Sequence, residues 1–209
     1  GLVRSGQATD LAKVYPPHDL PSPDQLLVAA LDAIQAFDTQ IMAWLQFAPQ
    51  TNEVARSAAL YPGMMQIAGQ TGLPLALYEV GASAGLNMNM GRYGYRLGGQ
   101  EFGHSESAVM LTPDWNRASL EGAEPVIHSR RGCDRNPMDV SNPEQFERLI
   151  SYVWPDQLDR LSRIEAACEI AQKYPLQIDK MDAADWVDDM FSVPAEKGVV
   201  RGLYHSIAF

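Results

Sequence analysis

Leu73-Pro74-Leu75-Ala76-Leu77-Tyr78-Glu79-Val80 runs directly into Gly81-Ala82-Ser83-Ala84-Gly85-Leu86-Asn87. The first part is a short, nearly continuous apolar run ending at glycine, the pattern of a strand buried on both faces. The second part is rich in small residues, which lets a ligand or another backbone come close. A helix starting there would offer free N–H groups to a ligand's polar end. The stretch therefore predicts the first strand of a sheet, followed by a strand-to-helix turn at its carboxyl end.

Upstream of this strand the pattern is helical. Leu27, Leu31, Ile34, Phe37, Ile41, Trp44, Leu45 and Ala48 fall at three-and-four spacing, which predicts one long amphipathic helix over 24–48 with Pro21, Pro23 and Pro49 at its ends. A second helix is expected from Glu53 to about Gln70, kinked at Pro62 and closed by Gly72. Downstream, an antiparallel excursion is expected over 93–111, then strands at 125–130, 176–180 and 199–206. Helices over 142–152 and 156–173 fill the intervals, with Trp154 anchoring the core ahead of Pro155 in the first turn. Alternation of strands and helices after residue 73 builds a mostly parallel open α/β sheet. The expected organisation is an N-terminal helical segment over 1–72 and an α/β core over 73–209.

Composition narrows the function. The 209 residues include 26 acidic and 16 basic side chains, a formal charge of −10, with no stripe of Lys and Arg to track phosphates, so nucleic acid is not the expected partner. Apolar stretches are interrupted well short of the ~20 residues that span a bilayer. The two cysteines, Cys133 and Cys168, form no CxxC pair, and no secretory signal opens the chain, which fits a reducing cytoplasm. The chain starts Gly1-Leu2-Val3 and stops within the apolar run Gly202 to Phe209, which reads as a segment of a longer protein truncated at the C-terminal end of its core.

Gly81-Ala82-Ser83-Ala84-Gly85 also matches G-x-S-x-G, the nucleophile elbow of serine hydrolases, with Asp182 and His205 following in the order Ser, Asp, His. Against this, the preceding residues read as helical where that fold needs earlier strands, and no oxyanion segment precedes the turn. The dinucleotide fingerprint G-x-G-x-x-G fails at Ser83 and Leu86. Glu79, Gly81 and Gly85 instead resemble the E/D-x-G-x-G-x-G loop of class I S-adenosylmethionine-dependent methyltransferases, with Ser83 at the middle glycine.

That resemblance implies a Rossmann-like sheet and S-adenosylmethionine as cofactor, held around Glu79, Gly81, Ser83, Gly85 and Asn87. It implies an acidic residue for the ribose hydroxyls, matched by Asp134, and one for the adenine amino group, matched by Asp182 in Met181-Asp182-Ala183-Ala184. Ionised carboxylates supply the acceptors both contacts need. Asp134 lies much farther from the turn than the ~20 residues usual in nucleotide folds. Methyl transfer requires in-line placement and exclusion of water, without a metal. His205, at the end of the last strand, is the candidate base.

Four motifs taken together, Thr51-Asn52-Glu53-Val54-Ala55-Arg56-Ser57, Glu79 to Asn87, Arg131-Gly132-Cys133-Asp134-Arg135-Asn136-Pro137 and Val153-Trp154-Pro155-Asp156-Gln157, resemble the bacterial domain-of-unknown-function family DUF2332. This family looks like a divergent branch of the methyltransferase fold. Asn52 and Glu53 are expected to stabilise the start of the second helix, with Arg56 in ion-pair reach of Glu53. The functional alternative has Asn52 and Arg56 facing the glycine turn and holding a substrate carboxylate. Three readings result: a methyltransferase-like enzyme acting on a small molecule or protein, a serine hydrolase, and a non-catalytic nucleotide-binding module.

Overall fold

The computed structural model describes residues 1–19, 21–116 and 120–207. The chain divides into two compact units, one of residues 1–51 with 147–161 and one of residues 52–146 with 162–207. A division at residue 72 is thus not what the contacts follow: the second expected helix belongs to the unit that holds the sheet.

In the first unit, α1 (Thr9–Lys13) packs on α2 (Pro23–Ala36), and α3 (Asp38–Trp44) follows. Ser22 and Gln25 form a capping box at the start of α2, with Pro23 in the first turn, where its missing N–H costs no hydrogen bond. The expected single helix over 24–48 is two helices, bent by 86°. The bend is at Phe37, whose φ of −118° and ψ of 25° leave the helical region, while Asp38 places a negative charge at the new positive helix end. The three-and-four spacing runs through this joint because it marks which residues share a face, not whether the backbone turns. Trp154, expected in the core, is 71% exposed. No single helix among the described residues is long and apolar enough to cross a membrane.

The second unit is built on a four-stranded parallel sheet. Its elements are α4 (Ser57–Thr71), β1 (Leu75–Val80), β2 (Gly94–Leu97), β3 (Gln100–Gly103), β4 (Met110–Leu111) and β5 (Ile127–Asp134). After these come α5 (Pro143–Ser151) and α6 (Leu158–Lys173), both of which cross a boundary between the units, and then β6 (Gln177–Lys180), α7 (Ala183–Ser192) and β7 (Val200–His205). The sheet order is β6-β5-β1-β7, all parallel, so the α/β expectation holds. The apolar run 73–80 is the central strand, flanked on both sides. Ala208 and Phe209, in the terminal apolar run, lie outside the described residues.

Side-chain alternation gives the two faces different neighbours. On one face Tyr78 meets Trp186 and Phe191 of α7, at ring centroid distances of 6.0 and 5.3 Å. Trp186, rather than Trp154, is the buried tryptophan of the core, and its indole N–H donates to Asp179 at 2.7 Å. Asp179 also accepts from Arg131 of β5 at 2.7 Å. On the other face lie Leu77, with Met64 of α4 near Gly202, and Gly132, where a Cβ would come within 2.9 Å of Met88. Gly72 closes α4 with φ of 64°, as expected for a glycine C-cap, and α4 runs through Pro62.

The excursion over 93–111 is a three-stranded sheet, but only partly antiparallel: β2 and β3 form a hairpin, whereas β4 pairs parallel with β2. β5 is longer than expected and carries Asp134 as its last residue. Its polar segment Ser129-Arg130-Arg131 hid this extension from hydropathy alone, since Arg131 is satisfied by Asp179.

Candidate functional site at the carboxyl end of the central strand

β1 ends at Val80, in register with Cys133 of β5 on one side and His205 of β7 on the other. The two strands that follow β1 on the β5 side and the one that returns on the opposite side leave β1 at the point where strand order reverses. In open α/β sheets this point opens a crevice beyond the carboxyl ends of the strands. The turn from Gly81 to Gly85 occupies it.

Gly81 is exposed with φ of 68°, a conformation that favours glycine. Ala82 N–H bonds to Cys133 O at 2.9 Å and Gly85 N–H to Ala82 O at 2.7 Å. Between them Ser83 has φ of 54°, the sole non-glycine residue among those described with positive φ. An L side chain in that region carries strain of about 1–2 kcal/mol. Gly85 has φ of 70°, and a Cβ there would lie 2.9 Å from Ile178 Cδ1 and from Met88 Cε, so its place is against the hydrophobic interior.

Asp134 reaches the same turn. Its Oδ2 accepts from Ser83 N–H and its Oδ1 from Asn136 N–H, both at 2.8 Å. The residue matched to the ribose thus fastens the turn. Asp182 caps α7 through Ala184 N–H at 3.0 Å and lies 3.9 Å from Arg135; its side chain is half exposed. His205 is exposed at the end of β7.

Beneath the turn is a polar cluster in otherwise apolar surroundings. Asn52, Ser57, Glu79, Ser83 and Asn87 are all buried. Asn52 donates to Ala82 O at 2.7 Å, Ser57 hydroxyl to Asn87 Oδ1 at 2.8 Å, and Asn87 to Asn52 Oδ1 at 3.5 Å. Asn52 therefore reaches the turn instead of capping a helix. Glu53 takes the capping place, accepting from Ala55 N–H at 3.0 Å, and its ion partner at 3.5 Å is Arg163. Arg56, expected near Glu53, donates to Ser206 just past β7 at 3.0 Å. Ser57 and Tyr204 were not singled out from sequence. Tyr204 had a usable signal, since Glu79 and Tyr204 are each a polar-tipped residue one position before a strand end, and the register pairs them directly.

Burial dominates the electrostatics of Glu79 and pushes its carboxyl up to about 8. The Tyr204 hydroxyl and Arg56 pull it back, and Asp134 adds to the rise. Glu79 is accordingly a neutral acid at pH 7, able to donate a proton to a hydrogen bond. Tyr204 is held well above its usual value by burial and by Glu79. Although these two groups are close enough to influence each other, neither Glu79 Oε2 nor the Tyr204 hydroxyl forms a hydrogen bond of good geometry. With Ser83 Oγ they are three buried oxygens lacking a partner at one strand end.

The Ser83 hydroxyl consequently has no imidazole partner, so the hydrolase triad is not assembled here. No strand among the described residues precedes β1. A cleft of about 320 Å³ borders the turn through Ala84, between Met138, Val140, Gln172 and Ile178.

Residues 1–209 match the family described as "Uncharacterized protein conserved in bacteria (DUF2332)". No curated protein and no solved structure matches the chain.

Proposed function

The chain belongs to the uncharacterised bacterial family DUF2332, and we propose that its glycine turn binds S-adenosylmethionine for methyl transfer to a small molecule or protein. The observation that carries this reading is the location of the turn. An exposed glycine of positive φ follows the central strand of a parallel sheet at the point where strand order reverses. In chain order the sheet reads third, second, first, fourth, the order of the first four strands of a Rossmann-like sheet, whose ligands sit at this point.

The residues present fit such a ligand. Buried oxygens without partners cost about 1–3 kcal/mol each, and Ser83 Oγ, Tyr204 hydroxyl and Glu79 Oε2 are recovered most simply by a polar ligand. Gly81 gives backbone access, Asp182 at the start of α7 offers a half-exposed carboxylate for an amino group, and Asp134 orients the turn. When bound, the cofactor would supply an electrophilic methyl group. Arg56 would meet a substrate carboxylate and His205 would take the proton released by the acceptor, while Asn52, buried and bonded to Ala82 O, holds the turn rather than the substrate.

Isothermal titration calorimetry of the full chain with S-adenosylmethionine and S-adenosylhomocysteine tests this without knowing the acceptor. The expected result is saturable micromolar binding that weakens in Asp182→Ala. Folded protein that binds neither ligand overturns the reading.

One observation favours a second reading: Ser83 sits in G-x-S-x-G with strained φ, as an elbow nucleophile does. Covalent labelling of Ser83 by a fluorophosphonate, abolished in Ser83→Ala, is expected only of a serine hydrolase.

A further inference from the structure

A second cleft, of about 430 Å³, is lined by Arg92, Arg130, His104, His128, Ser129 and Gln177 among others. Among the described residues no Asp or Glu lines it, in a chain of net charge −10. Arg92 stacks on Tyr174, its guanidinium carbon 3.4 Å from the ring centroid. Stacking occupies the flat face of a guanidinium and leaves its in-plane N–H fork for an anion. Among the described residues that fork has no hydrogen-bond or ion-pair partner.

Arg130 is fixed from below, donating through Nη1 to Oδ1 of the fully buried Asn89. Burial first, and the Arg92 charge second, hold Arg130 below its ordinary basicity. Two partly desolvated like charges on one cleft are unfavourable to each other until an anion joins them. His128 is tethered at 3.1 Å to Glu196, an exposed pair at the rim, and His104 is exposed.

We propose that this cleft binds the phosphate group of a small phosphorylated molecule, with Arg92 and Arg130 as its principal ligands. A carboxylate presents two oxygens and is saturated by one bidentate arginine, whereas a phosphate presents three and suits two guanidinium forks with imidazoles beside them. The cleft is in the size range of small-molecule sites, so the phosphate can carry a larger substituent. This inference does not rest on the glycine-turn reading.

The test is calorimetric titration of the full chain with inorganic phosphate at low ionic strength, with succinate as the carboxylate comparison. Saturable phosphate binding is expected, weaker for succinate, and reduced about tenfold or more in Arg92→Gln, which also gives up the stacking on Tyr174. Arg92→Lys, which keeps the charge and loses the fork, should fall between. Circular dichroism checks that each variant folds. The proposal is overturned by absence of saturable heat up to ~20 mM phosphate, a range that covers millimolar affinity. Equal affinity in wild type and both variants, or succinate binding as tight as phosphate, overturns it too.

Discussion

The carboxylate of Asp134 accepts a 2.8 Å hydrogen bond from the backbone N–H of Ser83, 51 residues earlier in the chain. Its other oxygen accepts from Asn136 N–H, so one side chain joins the turn after β1 to the turn after β5. A tight turn with a strained residue at its centre persists only if its surroundings hold it.

Asp134→Ala should therefore destabilise the chain by about 2–3 kcal/mol, as it removes an ionised acceptor from two backbone N–H groups. Asp134→Asn keeps one acceptor oxygen and should cost less. Urea denaturation measures both. A change in Asp134→Ala smaller than about 0.5 kcal/mol, the usual size of surface effects, would show that the turn is held by other contacts.

Ser83→Gly relieves the positive φ and removes a buried hydroxyl that has no partner. Against the added freedom of the unfolded chain, the net expectation is stabilisation of about 1 kcal/mol. It also restores the middle glycine of the cofactor loop that the turn resembles. S-adenosylmethionine binding that persists, weakened only by loss of the Ser83 hydroxyl contact, agrees with the proposed function, whereas a hydrolase would lose its activity.

Tyr204→Phe should be neutral or stabilising by up to ~1 kcal/mol, since it deletes a buried hydroxyl without a hydrogen bond and keeps the ring. If that hydroxyl contacts a ligand, the same variant weakens ligand binding while melting no lower than wild type. A drop in melting temperature would mean that the hydroxyl is satisfied within the folded chain.

The sequence made the central strand and its glycine turn legible because both are local: an apolar run and small residues are visible within fifteen positions. The parallel sheet followed from alternation of elements. The break at Phe37 was not legible, because neither glycine nor proline marks it. Trp154 and Trp186 look alike in sequence, and only packing against Tyr78 separates the buried one. The candidate site was legible at Gly81 and Asn52 but not in the role of Asp134, whose bond to Ser83 depends on where two strands lie side by side. Glu79 stood out as a motif acid. That it is buried beside Tyr204 depends on the register of β1 with β7.

That burial gives the clearest pH dependence. The Glu79 carboxyl is raised from an ordinary 4.5 to about 8, so between these values the folded chain binds more protons here than the unfolded chain. Stability tied to the neutral acid is complete below about pH 4.5 and is lost as pH rises toward 8, because the unfolded chain gains by ionising where the folded chain does not. Glu79→Gln cannot ionise and removes this dependence. The stability difference, variant minus wild type, should thus grow in favour of the glutamine by roughly 2–4 kcal/mol between pH 5 and pH 8, at about 1.36 kcal/mol for each pH unit over which only the unfolded chain is ionised. Taking the difference cancels every other titrating group. Chemical denaturation of both proteins at the two pH values measures it, and a difference that stays constant would mean that Glu79 is ionised in the fold, its charge met by Arg56 and the polar groups around the turn.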